Sequence, residues 1–237
     1  MSGPRVFILA GGLGTRLRPV IGDSVPKPMA DVNGRPFLEW LLILLRGHGL
    51  RDFVISTGYK GEMIERYFGD GSRLGVSIEY SREESPLGTG GALRRAEPLL
   101  SGGDFLVVNG DTYLEADPRP LLEARASSGS IGVLGLVEAR GPRKGGFVEL
   151  EGDRVVAFRE GVGTGRMYAG VAAFSPEVFR AMPGSERFSL EEDLLPSLAS
   201  SGSLRGLPME GTFIDIGTPE GYAAARATIG RGSRWVR

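Results

Sequence analysis

The chain has 237 residues, 41% of them hydrophobic and 24% charged, which is enough apolar material for one large domain or two small ones and excludes a disordered tail. Lys+Arg at 28 against Asp+Glu at 29 leaves a net charge of -1, so no global field holds nucleic acid or an anionic membrane. Zero cysteines remove disulfides, thiolate nucleophiles and zinc-thiolate sites, and a single histidine, His48, removes multi-histidine metal centres.

Glycine is the outlier, 38 of 237 residues with no collagen-like period, as in a scaffold whose loops run close to a ligand. In chain order, strands are expected over 5–10, 52–57, 76–81 and 105–109, and helices over 36–46, 61–68, 90–100 and 118–128. The helix over 36–46 turns Phe37, Leu38, Leu41, Leu44 and Leu45 to one face. Strand alternating with helix is the pattern of a parallel sheet covered by helices. In the second half strands are expected over 131–137, 147–151, 155–159 and 168–174, with Gly152-Asp153 as a hairpin turn. Helices over 176–181 and 190–201, strands over 204–207 and 213–215, and a helix over 219–229 complete the chain, with a basic tail 231–237 that Trp235 would dock. No run is apolar and long enough to be a signal core or a membrane span, so a soluble, cytoplasmic protein is expected.

Chemistry concentrates at predicted strand ends. Leu9-Ala10-Gly11-Gly12-Leu13-Gly14-Thr15-Arg16-Leu17 follows the first strand, where glycines let backbone N–H groups converge on phosphate and Arg16 adds a charged fork. The dinucleotide fingerprint fails because Leu17 stands where its last glycine belongs and no acidic residue ends the second strand at Ser56-Thr57. Lys27, one of three lysines, is held between Pro26 and Pro28 and suits a reacting phosphate. Asp111, after Asn109-Gly110, and Asp215, before Gly217-Thr218-Pro219, are carboxylates at strand ends that could share a Mg2+ ion. His48 sits near a helix C-terminus, where a dipole contact is the simpler role.

The series from Gly11 to Pro19, then Pro26-Lys27-Pro28, Leu87-Gly88-Thr89-Gly90-Gly91, Asn109-Gly110-Asp111 and Asp215-Ile216-Gly217-Thr218-Pro219 resembles the sugar-1-phosphate nucleotidyltransferases over nearly the whole chain. Within them it is most similar to the D-glycero-D-manno-heptose 1-phosphate guanylyltransferases, through Arg35-Pro36-Phe37-Leu38-Glu39, Phe68-Gly69-Asp70-Gly71-Ser72-Arg73 and Phe188-Ser189-Leu190-Glu191-Glu192-Asp193. The resemblance implies an α/β, Rossmann-like fold with a mixed, mainly parallel sheet and helices on both faces. It implies a single domain over 1–230, with a nucleotide-binding half (1–128) and a sugar-phosphate-binding half (129–230).

It further implies that a sugar 1-phosphate attacks the α-phosphorus of a nucleoside triphosphate, with Mg2+ on Asp111 and Asp215, Arg16 on the leaving pyrophosphate and Lys27 on the reacting phosphates. Leu9, Ala10, Gly11, Gly12, Gly14, Thr15, Glu83, Gly88 and Thr89 would bind the nucleotide, and Asn109, Gly146, Glu160, Tyr168 and Ala169 the sugar phosphate. Glu83 favours guanine, because guanine offers N1–H and an exocyclic NH2 side by side to one carboxylate, whereas uracil and thymine offer a single N–H. Gly161 stands where relatives carry a phosphate-binding lysine, so Arg143, Lys144, Arg159 or Arg166 is left to supply that cation. The expected substrates are therefore GTP and heptose 1-phosphate, with no nucleic acid or membrane partner. The alternatives are a uridylyltransferase on N-acetylmuramate 1-phosphate and a nucleotide-binding regulatory domain without turnover, and a homo-oligomer is left open.

Overall fold

A computed structural model describes residues 3–230; the expectations for the tail 231–237 and for Trp235 lie outside the described residues. The strands are β1 (Arg5–Leu9), β2 (Asp31–Val32), β3 (Arg35–Pro36), β4 (Asp52–Thr57), β5 (Ser77–Arg82), β6 (Phe105–Asn109), β7 (Thr112–Leu114), β8 (Gly132–Glu151), β9 (Arg154–Phe174), β10 (Leu204–Pro208) and β11 (Phe213–Asp215). The helices are α1 (Arg18–Ile21), α2 (Phe37–Gly47), α3 (Gly61–Phe68), α4 (Gly88–Arg95), α5 (Glu97–Leu100), α6 (Arg119–Ser128), α7 (Val178–Ala181), α8 (Leu195–Ser200) and α9 (Pro219–Thr228).

A seven-stranded sheet runs in the order β10-β8-β9-β6-β1-β4-β5. β1 is parallel to both β4 and β6, β4 to β5, and β10 to β8, while β9 is antiparallel to β6 and β8, so the sheet is mixed and mainly parallel as expected. Alternation along β1 shows why its run is apolar throughout: Val6 and Ile8 pack into one core cluster and Phe7 into the other, on opposite faces. α2, α3 and α6 cover the first face, and α4, α5, α7 and α8 the second.

Three expectations change. The helix over 36–46 is buried on all sides rather than on one face, because Trp40 and Ile43 pack with Tyr222 and Ala225 of α9 in a third cluster while Leu38, Leu41, Leu42 and Leu45 face the sheet. The helix over 90–100 starts at Gly88 and breaks at Ala96, since Pro98 has no N–H to continue the ladder. The four strands between 131 and 174 are two long ones of 20 and 21 residues: the glycines that read as breaks continue a bulged ribbon, with Arg143 opposite Gly163 and Gly145 opposite Gly161. At its far end Gly152, at φ 64°, turns the hairpin as expected. The β2–β3 hairpin was not anticipated, although its Asn33-Gly34 turn, at φ 54° and 85°, carries the dipeptide such turns demand. Among the described residues no helix is long and apolar enough to cross a membrane.

Candidate active site

From β1 the chain winds out through β4 to β5 and then returns to β6 on the other side of β1, so a crevice opens beyond the carboxyl ends of β1 and β6. There lies a cleft of about 700 Å³, lined by Leu9, Ala10, Gly11, Gly12, Arg16, Lys27, Glu83, Gly88, Thr89, Asn109, Asp111, Gly146, Glu160, Tyr168 and Asp215 among the expected residues. The glycine-rich loop enters it with open backbone: among the described residues the N–H groups of 11–16 donate to no protein acceptor. Gly14 is not part of the lining. At φ 62°, its bare Cα lets Lys27 pack close, since a Cβ there would meet that of Lys27 at 2.8 Å. Thr15 is exposed outside the cleft, and Leu17 is buried beneath it in the third cluster.

Backbone pairing brings together the two carboxylates expected to meet. β11 pairs with β7, directly after Asp111, and the Ile216 N–H donates to the Asp111 carbonyl at 3.0 Å. The Lys27 ammonium is hydrogen-bonded to the Asp111 carboxylate. Asp215 accepts from the Gly217 N–H at 2.6 Å, yet burial and then the charge of Asp111 raise its pKa above the ordinary carboxylate value. Two carboxylates close enough to oppose each other's ionisation fit a divalent cation. Among the described residues no group of three or more His, Asp or Glu ligands occurs, so the donor set suits Mg2+ completed by substrate phosphates. Asn109 presents a buried Oδ1 with no hydrogen-bond partner to the same end of the cleft.

Glu83 is held rather than loosely solvated: Ser56, buried at the end of β4, donates its hydroxyl to Oε1 at 2.8 Å, and the Leu87 N–H donates to Oε2 at 3.1 Å. A Cβ on Gly11 would meet Oε1 at 2.4 Å, so a side chain there would push this carboxylate off its two anchors. Gly88 (φ 75°) and Thr89 begin α4, and the Phe188 carbonyl accepts from the N–H groups of Gly90 and Gly91 at 3.0 and 3.3 Å. The Thr89 hydroxyl donates to Glu191 at 2.7 Å and accepts from the Leu190 N–H at 2.8 Å. The segment Phe188 to Glu192 thus docks against the start of α4 and lines the cleft through Ser189, Glu191 and Glu192.

The β8–β9 ribbon supplies the other wall, with Gly146 opposite Glu160. A Cβ on Gly146 would meet the Phe158 ring at 2.3 Å. Burial and then the charge of Glu191 raise the Glu160 pKa, and burial raises that of Tyr168. Ala169, the next residue on the strand, points to the opposite face and is buried in the first cluster, so its side chain is not in the cleft. Of the four candidate cations, Arg143 and Lys144 line the cleft; Arg166 does not, and Arg159 pairs with Glu149 at 2.7 Å outside it. Tyr59 and Arg187 also line the cleft and were not singled out. Tyr59 carries no motif of its own, and Arg187 directly precedes the Phe188 segment. His48 caps α2 with its ring nitrogen 3.8 Å from Asp117, away from the cleft, and burial lowers its pKa.

Known proteins are similar to this chain over nearly all of its length. D-glycero-alpha-D-manno-heptose 1-phosphate guanylyltransferase of Aneurinibacillus thermoaerophilus is 38% identical over 94% of this chain and 97% of its own. Mannose-1-phosphate guanylyltransferase of Mycobacterium tuberculosis is likewise 38% identical over 95% of this chain, which spans 64% of that longer protein. The crystal structure of HddC from Yersinia pseudotuberculosis complexed with GMP-PN has a TM-score of 0.82 at 32% identity and covers 95% of this chain and 99% of that one. The family model for nucleotidyl transferases matches residues 5–231, so glycine loop, carboxylates and ribbon wall all fall within it, and the chain belongs to the nucleotidyl transferase family.

Proposed function

We propose that this nucleotidyltransferase moves GMP from GTP onto a heptose 1-phosphate, forming GDP-heptose and pyrophosphate. The observation that carries the reading is the convergence of Lys27, Asp111 and Asp215 at the strand ends beside a glycine-rich loop with open N–H groups. The heptose and guanylyl assignments draw support from the named relatives, at 38% and 32% identity over nearly the whole chain.

A phosphate monoester has its second pKa near about 6 and is mostly a dianion at neutral pH, so the attacking oxygen needs no general base. That oxygen forms a bond to the α-phosphorus while the bond from the α-phosphorus to the bridging β-oxygen breaks, and the electron pair leaves with pyrophosphate. Positioning and charge stabilisation remain as the protein's task. Mg2+, held by Asp111 and Asp215, would neutralise charge on the phosphates when bound. Arg16 is placed to meet the departing pyrophosphate, and Lys27 steadies the reacting phosphate and orients Asp111. Glu83, anchored by Ser56 and the Leu87 N–H, has lone pairs left to accept the two N–H donors of guanine. On this reading residues 1–128 handle the nucleotide and 129–230 the sugar phosphate, within one domain.

Pyrophosphate release with Mg2+, crossing each nucleoside triphosphate against a panel of sugar 1-phosphates, is expected to be confined to GTP with D-glycero-α-D-manno-heptose 1-phosphate. Turnover of UTP with N-acetylmuramate 1-phosphate instead would replace the reading, and silence across the panel with nucleotide still bound would favour a regulatory domain. Glu83→Gln is expected to cut the preference for GTP over UTP by about tenfold or more, the size of one charge-assisted hydrogen bond.

A further inference from the structure

Acidic side chains outnumber basic ones along the cleft, so an incoming phosphate dianion needs a cation that no carboxylate already holds. Lys27 is committed to Asp111, and the charge of Lys144 acts on Glu160, whose pKa burial and Glu191 nonetheless raise. Arg143 differs. Its guanidinium lies over the ring of Phe213, 5.2 Å from the centroid. Phe213 and Asp215 are two apart on β11 and both face the cleft, while Ile214 between them is buried in the core. Phe213 and Asp215 lie about 6.6 Å apart along the strand, so the guanidinium is seated on the strand that also carries Asp215 to the cleft. Contact with the ring holds the guanidinium at the cleft wall, and its fork of N–H donors suits two phosphate oxygens at once. The same ribbon carries Gly146 and Glu160 three register steps, about 10 Å, from the Arg143–Gly163 pair.

We propose that Arg143 binds the phosphate of the sugar 1-phosphate acceptor and that Phe213 is its positioning residue; this rests on the acceptor class read above. Steady-state kinetics of pyrophosphate release with GTP and D-glycero-α-D-manno-heptose 1-phosphate test it. Arg143→Ala is expected to raise the KM for the acceptor about tenfold to a hundredfold, the cost of a charge-assisted contact, and to leave the KM for GTP within about twofold. Arg143→Lys, which keeps charge without the fork, should recover part of the loss, and Phe213→Leu should show a smaller rise in the acceptor KM alone. An unchanged acceptor KM in Arg143→Ala overturns the proposal, as does an equal rise in the KM for GTP, or the loss appearing in Arg187→Ala in its place. Calorimetric titration with heptose 1-phosphate separates this from the functional reading. A wild type that binds it but never turns over removes the activity, whereas Arg143→Ala binding as tightly as wild type removes the assignment of Arg143.

Discussion

Asp215 is a half-buried carboxylate whose surroundings, burial first and Asp111 second, work against its charge. A carboxyl with a raised pKa in the folded state binds more protons there than in the unfolded chain, so it subtracts stability as pH rises through that window. Asp215→Asn keeps an oxygen for the Gly217 N–H and removes the charge. In EDTA at pH 7 it should therefore melt at a higher temperature than the wild type, with the gain absent near pH 3, where Asp215 is protonated in the folded and the unfolded chain. Its turnover should fall by about a hundredfold or more, the scale of losing an electrostatic partner of the transition state. A lower melting temperature at pH 7 would show that attraction to Lys27 and Arg16 outweighs burial. The glycine loop and both aspartates are legible from residue type at predicted strand ends, and Lys27 from the prolines on either side of it. The anchoring of Glu83 by Ser56 and the role of Glu191 are not, because each depends on side chains distant in sequence, 27 and 102 residues from their partners.

At the scale of elements, two short motifs noted separately prove to be partners. Glu39 on α2 is 2% exposed and accepts from Arg35 at 2.7 Å, from the Tyr67 hydroxyl at 2.7 Å and from Arg73 at 3.2 Å. Burial pushes its pKa up, but the bonds from Tyr67 and Arg73 win and hold it below the ordinary value. Glu39→Ala removes the buried acceptor that ties Arg35 of β3, Tyr67 of α3 and Arg73 to α2. A loss of about 2–4 kcal/mol is expected, read as a fall in Tm of about 5–10 °C. A change under about 1 kcal/mol would mean that solvent satisfies the arginines. The start of α4 makes a second case: at φ 75°, with a Cβ meeting the Phe188 carbonyl at 2.4 Å, position 88 excludes any side chain. Gly88→Ala should cost about 1–2 kcal/mol from the left-handed backbone alone. By pushing Phe188 off α4 it should also raise the KM for GTP about tenfold; an unchanged KM would separate this docking from nucleotide binding.

For the whole molecule, β6 and β1 of the first half and β9 and β8 of the second share one sheet, and each main core cluster draws on both halves. A single cooperative transition is therefore expected, with thermal melts followed by far-UV circular dichroism and by tryptophan fluorescence superimposing. Two separated transitions would show that the proposed halves fold independently. The alternation of apolar runs with helical patterns determined the parallel first half and its strand ends from sequence alone, because those signals are local and periodic. Only the tertiary structure decided that the second half forms one long bulged ribbon, that α2 is covered by α9, and that Lys27 is hydrogen-bonded to Asp111. Those outcomes depend on pairing across long stretches of chain, and a glycine in a ribbon reads locally like a glycine in a turn until its partner strand is known.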